Sequence, residues 1–187
     1  LGKSLNNAGN TAGNATDASG SLHYVRIEFG RLVLSGVGSG TTIENIQVSY
    51  AGKGAAFEIN GGTFNARYLV SYACGGPSDF YITEGYTGKL QHLLAYRHPY
   101  FGAKSFTPPN ALAGVFIENN PNDTTRTPYT YPVISNLTVP GPNGQAGSKA
   151  GYSDTLSIRP AALITTGNAR FRIRNSLFLG FPEGAWY

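Results

Sequence analysis

Four carboxylates in the middle of the chain are the side chains best suited to chemistry. They are Glu58, Asp79, Glu84 and Glu118, with Arg97 and His98 between them. A glycosidase needs two facing carboxylates, and a polysaccharide lyase needs clustered carboxylates for calcium and a base. The alternative is a line of solvated carboxylates at turns. No aspartate is adjacent to another acid, so we predict no catalytic residue, no metal site and no cofactor.

Aromatic side chains form a second candidate site. One group begins a proline-containing segment and another ends a later segment: Tyr96, His98, Tyr100, Phe101 and Phe106, then Tyr129 and Tyr131. Exposed rings beside Asn and Asp can hold sugars or fill a protein interface. The alternative is that these rings pack their segments onto the body of the protein. We favour a binding site.

The remaining reactive residues predict structural roles. The histidines His23, His92 and His98 lack metal-ligand spacing, and His92 is expected in a core column. Cys74 is the only cysteine and is expected to be a packed small residue. No internal disulfide can form.

Charge is sparse and scattered. Asp, Glu, Lys and Arg make up 13% of the chain, with 14 Lys and Arg against 10 Asp and Glu, well below the average of about 25%. Arg170, Arg172 and Arg174 alternate, which on a strand places them on one face. We interpret them as a solvated face and predict no nucleic-acid partner. No stretch approaches the roughly 18 apolar residues of a membrane span.

These residues are carried by a repeat. Rows of alternating apolar residues end at Phe29, Tyr50, Tyr72 and Tyr96, with Ile27, Val48, Val70 and Leu94 at their middle positions. This alternation predicts strands with one buried face, and we expect the four end residues to form an internal aromatic ladder. The period is about two dozen residues, as in a solenoid.

A second series of strands runs between these rows. Its pairs are Leu32 and Leu34, Phe57 and Ile59, Phe80 and Ile82, Val115 and Ile117, then Leu156 and Ile158. A further pattern places an asparagine two residues after an isoleucine, at Asn45, Asn136 and Asn175. It predicts that these asparagines stack on one another at the same corner of successive coils. Glycines such as Gly62 mark further turns.

The pattern predicts an all-β, right-handed, single-stranded parallel β-helix with coils of about 21–25 residues. Residues 1–20 are expected to form a polar loop or arm, and residues 21–187 the β-helix. Insertions are predicted near 98–113, 119–132 and 140–153. We expect the chain to be part of a longer one.

Several strings resemble the repeat of a large family of secreted Bacteroidetes β-helix proteins. They include Gly36-Val37-Gly38-Ser39-Gly40-Thr41-Thr42-Ile43-Glu44, Gly85-Tyr86-Thr87-Gly88-Lys89-Leu90-Gln91 and Asn175-Ser176-Leu177-Phe178-Leu179-Gly180-Phe181-Pro182. The resemblance covers roughly residues 20–187. It implies a surface protein or lipoprotein at the outer membrane. The acids usual before the second strand of each coil in that family are reduced here, with Tyr81 and Thr83 in their place.

The same resemblance suggests modification and partners. Asp123-Thr124-Thr125 and Asp154-Thr155-Leu156 look like the O-glycan acceptor of Bacteroidetes, with Thr124 and Thr155 as acceptors. The partners implied are outer-membrane or surface proteins, as in a SusC/SusD-like assembly, and glycans. We therefore predict a non-enzymatic binding or structural subunit. The alternatives are a polysaccharide-active enzyme and a pure scaffold or filament component.

Overall fold

The computed structural model describes residues 14–98, 113–141, 161–181 and 184–186. In those ranges the chain forms twelve strands: β1 Ser21–Glu28, β2 Leu32–Ser35, β3 Thr42–Ser49, β4 Phe57–Asn60, β5 Asn65–Tyr72, β6 Ser78–Thr83, β7 Lys89–Tyr96, β8 Ala113–Glu118, β9 Val133–Pro140, β10 Ala161–Thr166, β11 Arg172–Arg174 and β12 Leu177–Leu179. Among these residues there is no helix long and apolar enough to cross a membrane.

The strands stack into two parallel sheets. Sheet A has the order β1-β3-β5-β7-β9-β11, with β12 also beside β9, and sheet B has the order β10-β8-β6-β4-β2. Each of the first five coils adds one eight-residue strand to sheet A and one shorter strand to sheet B, and the last described coil adds β11 and β12 to sheet A. Because one coil cannot bury its own inner face, the core runs continuously through the stack. The predicted all-β parallel β-helix is confirmed.

Every long strand of sheet A has a left-handed residue near its middle. These are Tyr24, Asn45, Tyr68, His92 and Asn136, with φ between 53° and 59°, and Asn175 occupies the same place between β11 and β12. We call this set the kink column. At each kink the inward residues are three positions apart instead of two, as in Ile43 and Ile46. The predicted asparagine corners lie here, and the Asn175 amide donates to Asn136.

The core consists of in-register apolar columns. In sheet A, Ile46, Leu69, Leu93 and Leu137 pair in successive coils and are buried. In sheet B, Phe57 stacks on Phe80 with 4.9 Å between ring centroids, and both rings are fully buried. At one corner Gly62 has φ +101°, and a Cβ there would lie 2.5 Å from the Val37 carbonyl oxygen. Only glycine fits this position without displacement.

The register corrects the expected inner columns. Val48 pairs with Ser71, and Ser71 with Ala95, so the inward residues are not Val70 and Leu94. A shift of one residue moves a side chain to the other face of a strand. In sheet B the residues opposite Val115 and Ile117 are Leu163 and Thr165, not Leu156 and Ile158, which lie outside the described residues.

The predicted internal ladder is external. Phe29 is 80% exposed, Tyr50 37% and Tyr72 38%, yet the rings do stack, with centroids 5.5 Å apart for Phe29 and Tyr50 and 5.2 Å for Tyr72 and Tyr96. The aromatic contacts inside the coils are Phe57 with Phe80, which stack, and Phe64 with Tyr86, whose centroids are 5.1 Å apart. His92 was also expected in the core and is exposed, because it belongs to the kink column.

Candidate ligand-binding surface

Asp79 is separated from the other candidate acids by burial. Its carboxylate is fully buried and accepts hydrogen bonds from Arg97 Nε at 2.8 Å and from the Ser71 hydroxyl at 2.5 Å. Burial raises the pKa of the Asp79 carboxyl, and the Arg97 guanidinium opposes that shift. Arg97 Nη1 donates to the Gly76 carbonyl at 2.9 Å. Asp79, Arg97 and Ser71 therefore stabilise the interior, where a substrate cannot reach them.

The other three acids have partners of their own. Glu58 accepts from Arg31 Nη1 at 2.6 Å, and Glu84 accepts from the Asn120 amide at 2.6 Å. The Tyr81 hydroxyl donates to Glu118. Tyr81 thus occupies an expected acid position and pairs with Glu58 in the ladder between β4 and β6.

Burial sets the electrostatics around Glu118. It raises the pKa of the half-buried Glu118 carboxyl, and the Tyr81 hydrogen bond opposes this. The pKa of Tyr81 is also raised, by burial and then by Glu118. In the described part of the chain, no three His, Cys, Asp or Glu side chains form a group that could hold a metal ion. The four carboxylates are therefore not one cluster.

The outer face of sheet A brings together a different set of side chains. Tyr24 is 84% exposed and Tyr68 44% exposed, and Tyr68 stacks on His92 with centroids 4.9 Å apart and planes 10° apart. In the next coil, Asn136 Nδ2 lies 3.5 Å from His92 Nε2. The kink column thus presents rings and amides on the outside of consecutive coils, in the order Tyr24, Asn45, Tyr68, His92, Asn136 and Asn175.

Charged side chains lie on one side of the kink column. Glu44 accepts from Arg67 Nε and lies 3.0 Å from His23 Nδ1. Arg67 lowers the pKa of the Glu44 carboxyl, chiefly through this hydrogen bond. The Arg67 guanidinium carbon is 5.7 Å from the centre of the Tyr68 ring. A shallow hollow of about 380 Å³ runs beside this pair, lined also by Asn65, Lys89 and Gln91.

A second hollow lies at the other end of the same face. Its volume is about 410 Å³, and His92, Asn136, Thr138, Asn175, Ser176 and Leu177 line it. Amide and hydroxyl groups can both donate and accept hydrogen bonds. Together with the exposed rings, these two hollows make the outer face of sheet A the candidate ligand-binding surface.

Comparison with known proteins assigns the chain to a family. Residues 5–184 match the family model of a pectate-lyase-like β-helix domain. The chain belongs to this family. No curated protein and no solved structure gives a significant match.

In this pectate-lyase-like β-helix the predicted aromatic residues do not form one site. Tyr96 ends β7, whereas Tyr131 lies two residues before β9 begins. Because β7 and β9 are parallel neighbours, these residues lie at opposite ends of the strands of sheet A. Tyr96 contacts His98, with centroids 6.2 Å apart. Tyr100, Phe101 and Phe106 lie outside the described residues, as do most of the insertions near 98–113 and 140–153.

The loop at 119–132 is tied down by side-chain amides. Asn119 Nδ2 donates to the carbonyls of Thr124 at 2.9 Å and Arg126 at 2.8 Å. Asp123 accepts from the backbone and hydroxyl of Thr125 at 3.0 and 2.7 Å. Thr124 itself is exposed. Thr155 lies outside the described residues.

Sequence reasoning missed Tyr24 and Tyr68 as surface residues. A signal was available, because each kink is preceded and followed by apolar residues three positions apart, as in Ala66 and Leu69. A strict two-residue alternation excludes that spacing. The Glu44–Arg67 pair can be found only from the register between neighbouring coils. An alignment of the coils that is wrong by one residue does not place these two side chains side by side.

Proposed function

We propose that this β-helix is a non-catalytic glycan-binding protein that holds a polysaccharide on the outer face of sheet A. The observation that carries the proposal is the kink column, which presents exposed rings and side-chain amides on successive coils beside the Glu44–Arg67 pair. Aromatic rings supply apolar contact with the C–H faces of sugars, and the fixed polar groups bond their hydroxyls. Adjacent coils are about 4.8 Å apart, so successive rungs form a continuous track.

The side chains on this surface are held in place before a ligand binds. Tyr68 is fixed between its left-handed backbone, the His92 ring and the Arg67 guanidinium. A site that is already ordered loses less conformational entropy on binding. The surface is therefore suited to weak, repeated contacts along a polymer.

A panel of purified polysaccharides, tested for retention in affinity gels and for degradation, checks this proposal. We expect retention without release of products. Tyr68→Asn keeps a residue that tolerates the left-handed conformation and removes the ring. It should weaken binding roughly tenfold or more, as for a central aromatic contact.

Tyr50→Asn is the matched control. Tyr50 also has positive φ, 58°, and is 37% exposed, but it lies at a different corner. Equal losses in the two variants, or no retention of any polysaccharide, would refute the proposal.

A polysaccharide-active enzyme is the second candidate. It is favoured by the pectate-lyase-like family and by Glu118, a carboxyl with raised pKa beside Tyr81. A general acid benefits from such a shift. Product release that disappears in a Glu58→Gln/Glu118→Gln variant would establish it and displace the binding proposal.

The setting we propose follows the resemblance to secreted Bacteroidetes proteins. It is the cell surface or the outer membrane, with a SusC/SusD-like importer as the partner assembly and O-glycans on Thr124 and Thr155. Purification of the native protein with its partners, followed by mass spectrometry of peptides containing these threonines, tests both points. A pure scaffold would show neither a bound polysaccharide nor a co-purifying importer.

A further inference from the structure

The last described coil presents three arginines on one face. Arg170, Arg172 and Arg174 are exposed and alternate with the half-buried Phe171 and Ile173. We call the three arginines the basic row. The backbone beneath them is fixed, because Arg170 N donates to the Thr130 carbonyl at 2.8 Å and Arg172 N to the Pro132 carbonyl at 3.0 Å. Arg172 and Arg174 are alternate residues of β11, and alternate residues of a strand are about 6.8 Å apart.

Two of these guanidinium groups are held by tyrosine rings. The Arg170 Cζ lies 4.6 Å from the centre of the Tyr129 ring, and the Arg172 Cζ lies 5.6 Å from that of Tyr131. Arg172 Nε also donates to the Tyr131 hydroxyl at 2.7 Å. Nε is occupied, and among the described residues no hydrogen bond is found for the two terminal nitrogens of Arg172, which can therefore face a ligand as a fork. The predicted aromatic pair of Tyr129 and Tyr131 thus has a role, as a support for arginines.

The basic row differs in charge balance from the arginines of the earlier strands and from the buried Arg97. Arg26, Arg31, Arg67 and Arg97 each pair with a carboxylate. None of the ion pairs found in the described part of the chain includes Arg170, Arg172 or Arg174. Lys89 extends the positive surface, since it pairs with Val133 and Val133 with Arg172 across neighbouring strands. This end of sheet A therefore carries positive charge that no described acid neutralises.

We propose that the basic row and Lys89 form a subsite for the anionic groups, carboxylates or sulfates, of a polysaccharide lying on sheet A. This inference rests on the proposed function. Guanidinium forks match both oxoanions with two parallel hydrogen bonds. The subsite lies at the same outer face as the kink column, with the basic row in the coil that contains Asn175 and Lys89 in the coil that contains His92. A nucleic acid is disfavoured, because the guanidinium groups cover the ring faces on which bases would stack.

Binding of dextran, carboxymethyl-dextran and dextran sulfate by the purified chain tests the inference, because the three polymers share one backbone. We expect both anionic forms to bind more tightly than dextran. Arg172→Gln should weaken their binding by roughly tenfold to a hundredfold, as for the loss of a charged hydrogen bond. Arg172→Lys should lose several-fold, because an ammonium lacks the fork.

Arg26→Gln is the matched control, since Arg26 is an exposed sheet A arginine paired with Glu28, and it should bind as the parent chain does. Equal weakening by Arg26→Gln and Arg172→Gln, or equal affinity for a single-stranded DNA, would overturn the inference. If only one anionic form binds, that form identifies the substituent.

The outcome also separates the two proposals. Polysaccharide binding that depends on Tyr68 but not on charge would refute the anionic subsite alone. Anion binding that depends on Arg172 and is unchanged in Tyr68→Asn would refute the sheet A glycan track and keep the anion site.

Discussion

Removal of either partner of the Asp79–Arg97 pair should destabilise the protein more than removal of any surface ion pair. The Arg97 side chain is 1% exposed and that of Asp79 is fully buried. Breaking a buried pair leaves an uncompensated charge and costs about 3–5 kcal/mol. For a chain of this size that lowers the melting temperature by roughly 6–20 °C, at about 2–4 °C per kcal/mol.

The hydrogen bonds rank the two single variants. Asp79→Ala leaves a guanidinium whose remaining described partner is the Gly76 carbonyl, and arginine cannot release its proton. Arg97→Ala leaves a carboxyl that keeps the Ser71 hydroxyl and can be neutralised by protonation. Arg97 Nη2 has no hydrogen-bond partner among the described residues, so its removal also relieves one existing penalty. Asp79→Ala should therefore be the more damaging change.

Thermal and urea unfolding followed by circular dichroism measure these differences. Arg31→Ala is the control, because the Arg31–Glu58 pair has a similar distance, 2.6 Å, but side chains 45% and 21% exposed. Its loss should cost about 0–1 kcal/mol. At pH 4 the deficit of Arg97→Ala should shrink and that of Asp79→Ala should not. The reasoning fails if Arg97→Ala is no less stable than Arg31→Ala, or if both deficits respond alike to pH.

Three further predictions concern single positions. Asn45 has φ 57°, so Asn45→Ala should lower the free energy of unfolding, measured in urea, by about 1–2 kcal/mol, and Asn45→Gly should lower it less. Equal losses in the two variants would contradict a backbone origin of the effect. Because burial raises the pKa of the Glu118 carboxyl, the folded state holds this proton more tightly than the unfolded state does, and the free energy of unfolding should fall as pH rises above the ordinary value of 4.5. Glu118→Gln should flatten that fall, and an unchanged pH profile in the variant would contradict the assignment. Cys74 is buried and its thiol pKa is raised by burial, so a thiol reagent should label it in urea but hardly in buffer.

The fold could be predicted because its inner columns leave a direct trace in the sequence. In sheet B, Phe57 and Ile59 stand opposite Phe80 and Ile82, and these opposite Val115 and Ile117, as the spacing indicated. The asparagine corners were also visible, since Asn readily adopts the left-handed conformation that the kink requires. Tyr68 and His92 occupy the same corner without the residue type that marks it.

The register of sheet A could not be predicted from alternation alone. The kink shifts the inward positions after it by one residue, so that Ser71 lies inside where Val70 was expected. Serine is tolerated there because its hydroxyl bonds the buried Asp79. A small polar residue in an inner column is thus explained by a partner eight residues away, and the aromatic row beside it is left on the outside.

The architecture would let the proposed binding surface vary without loss of the fold. Inward positions such as Leu69 and Leu93 are fixed by packing against the coils on either side. Outward positions in the same strands, including Arg67 and Gln91, contribute little to the core and can be substituted without disturbing it. The sheet spaces them rigidly, so a replaced side chain is presented in register with its neighbours. The arginines of the early coils are neutralised by acids and those of the last described coil are not. A polysaccharide lying along sheet A would therefore meet a neutral track at one end and a positive one at the other, which gives the surface a direction.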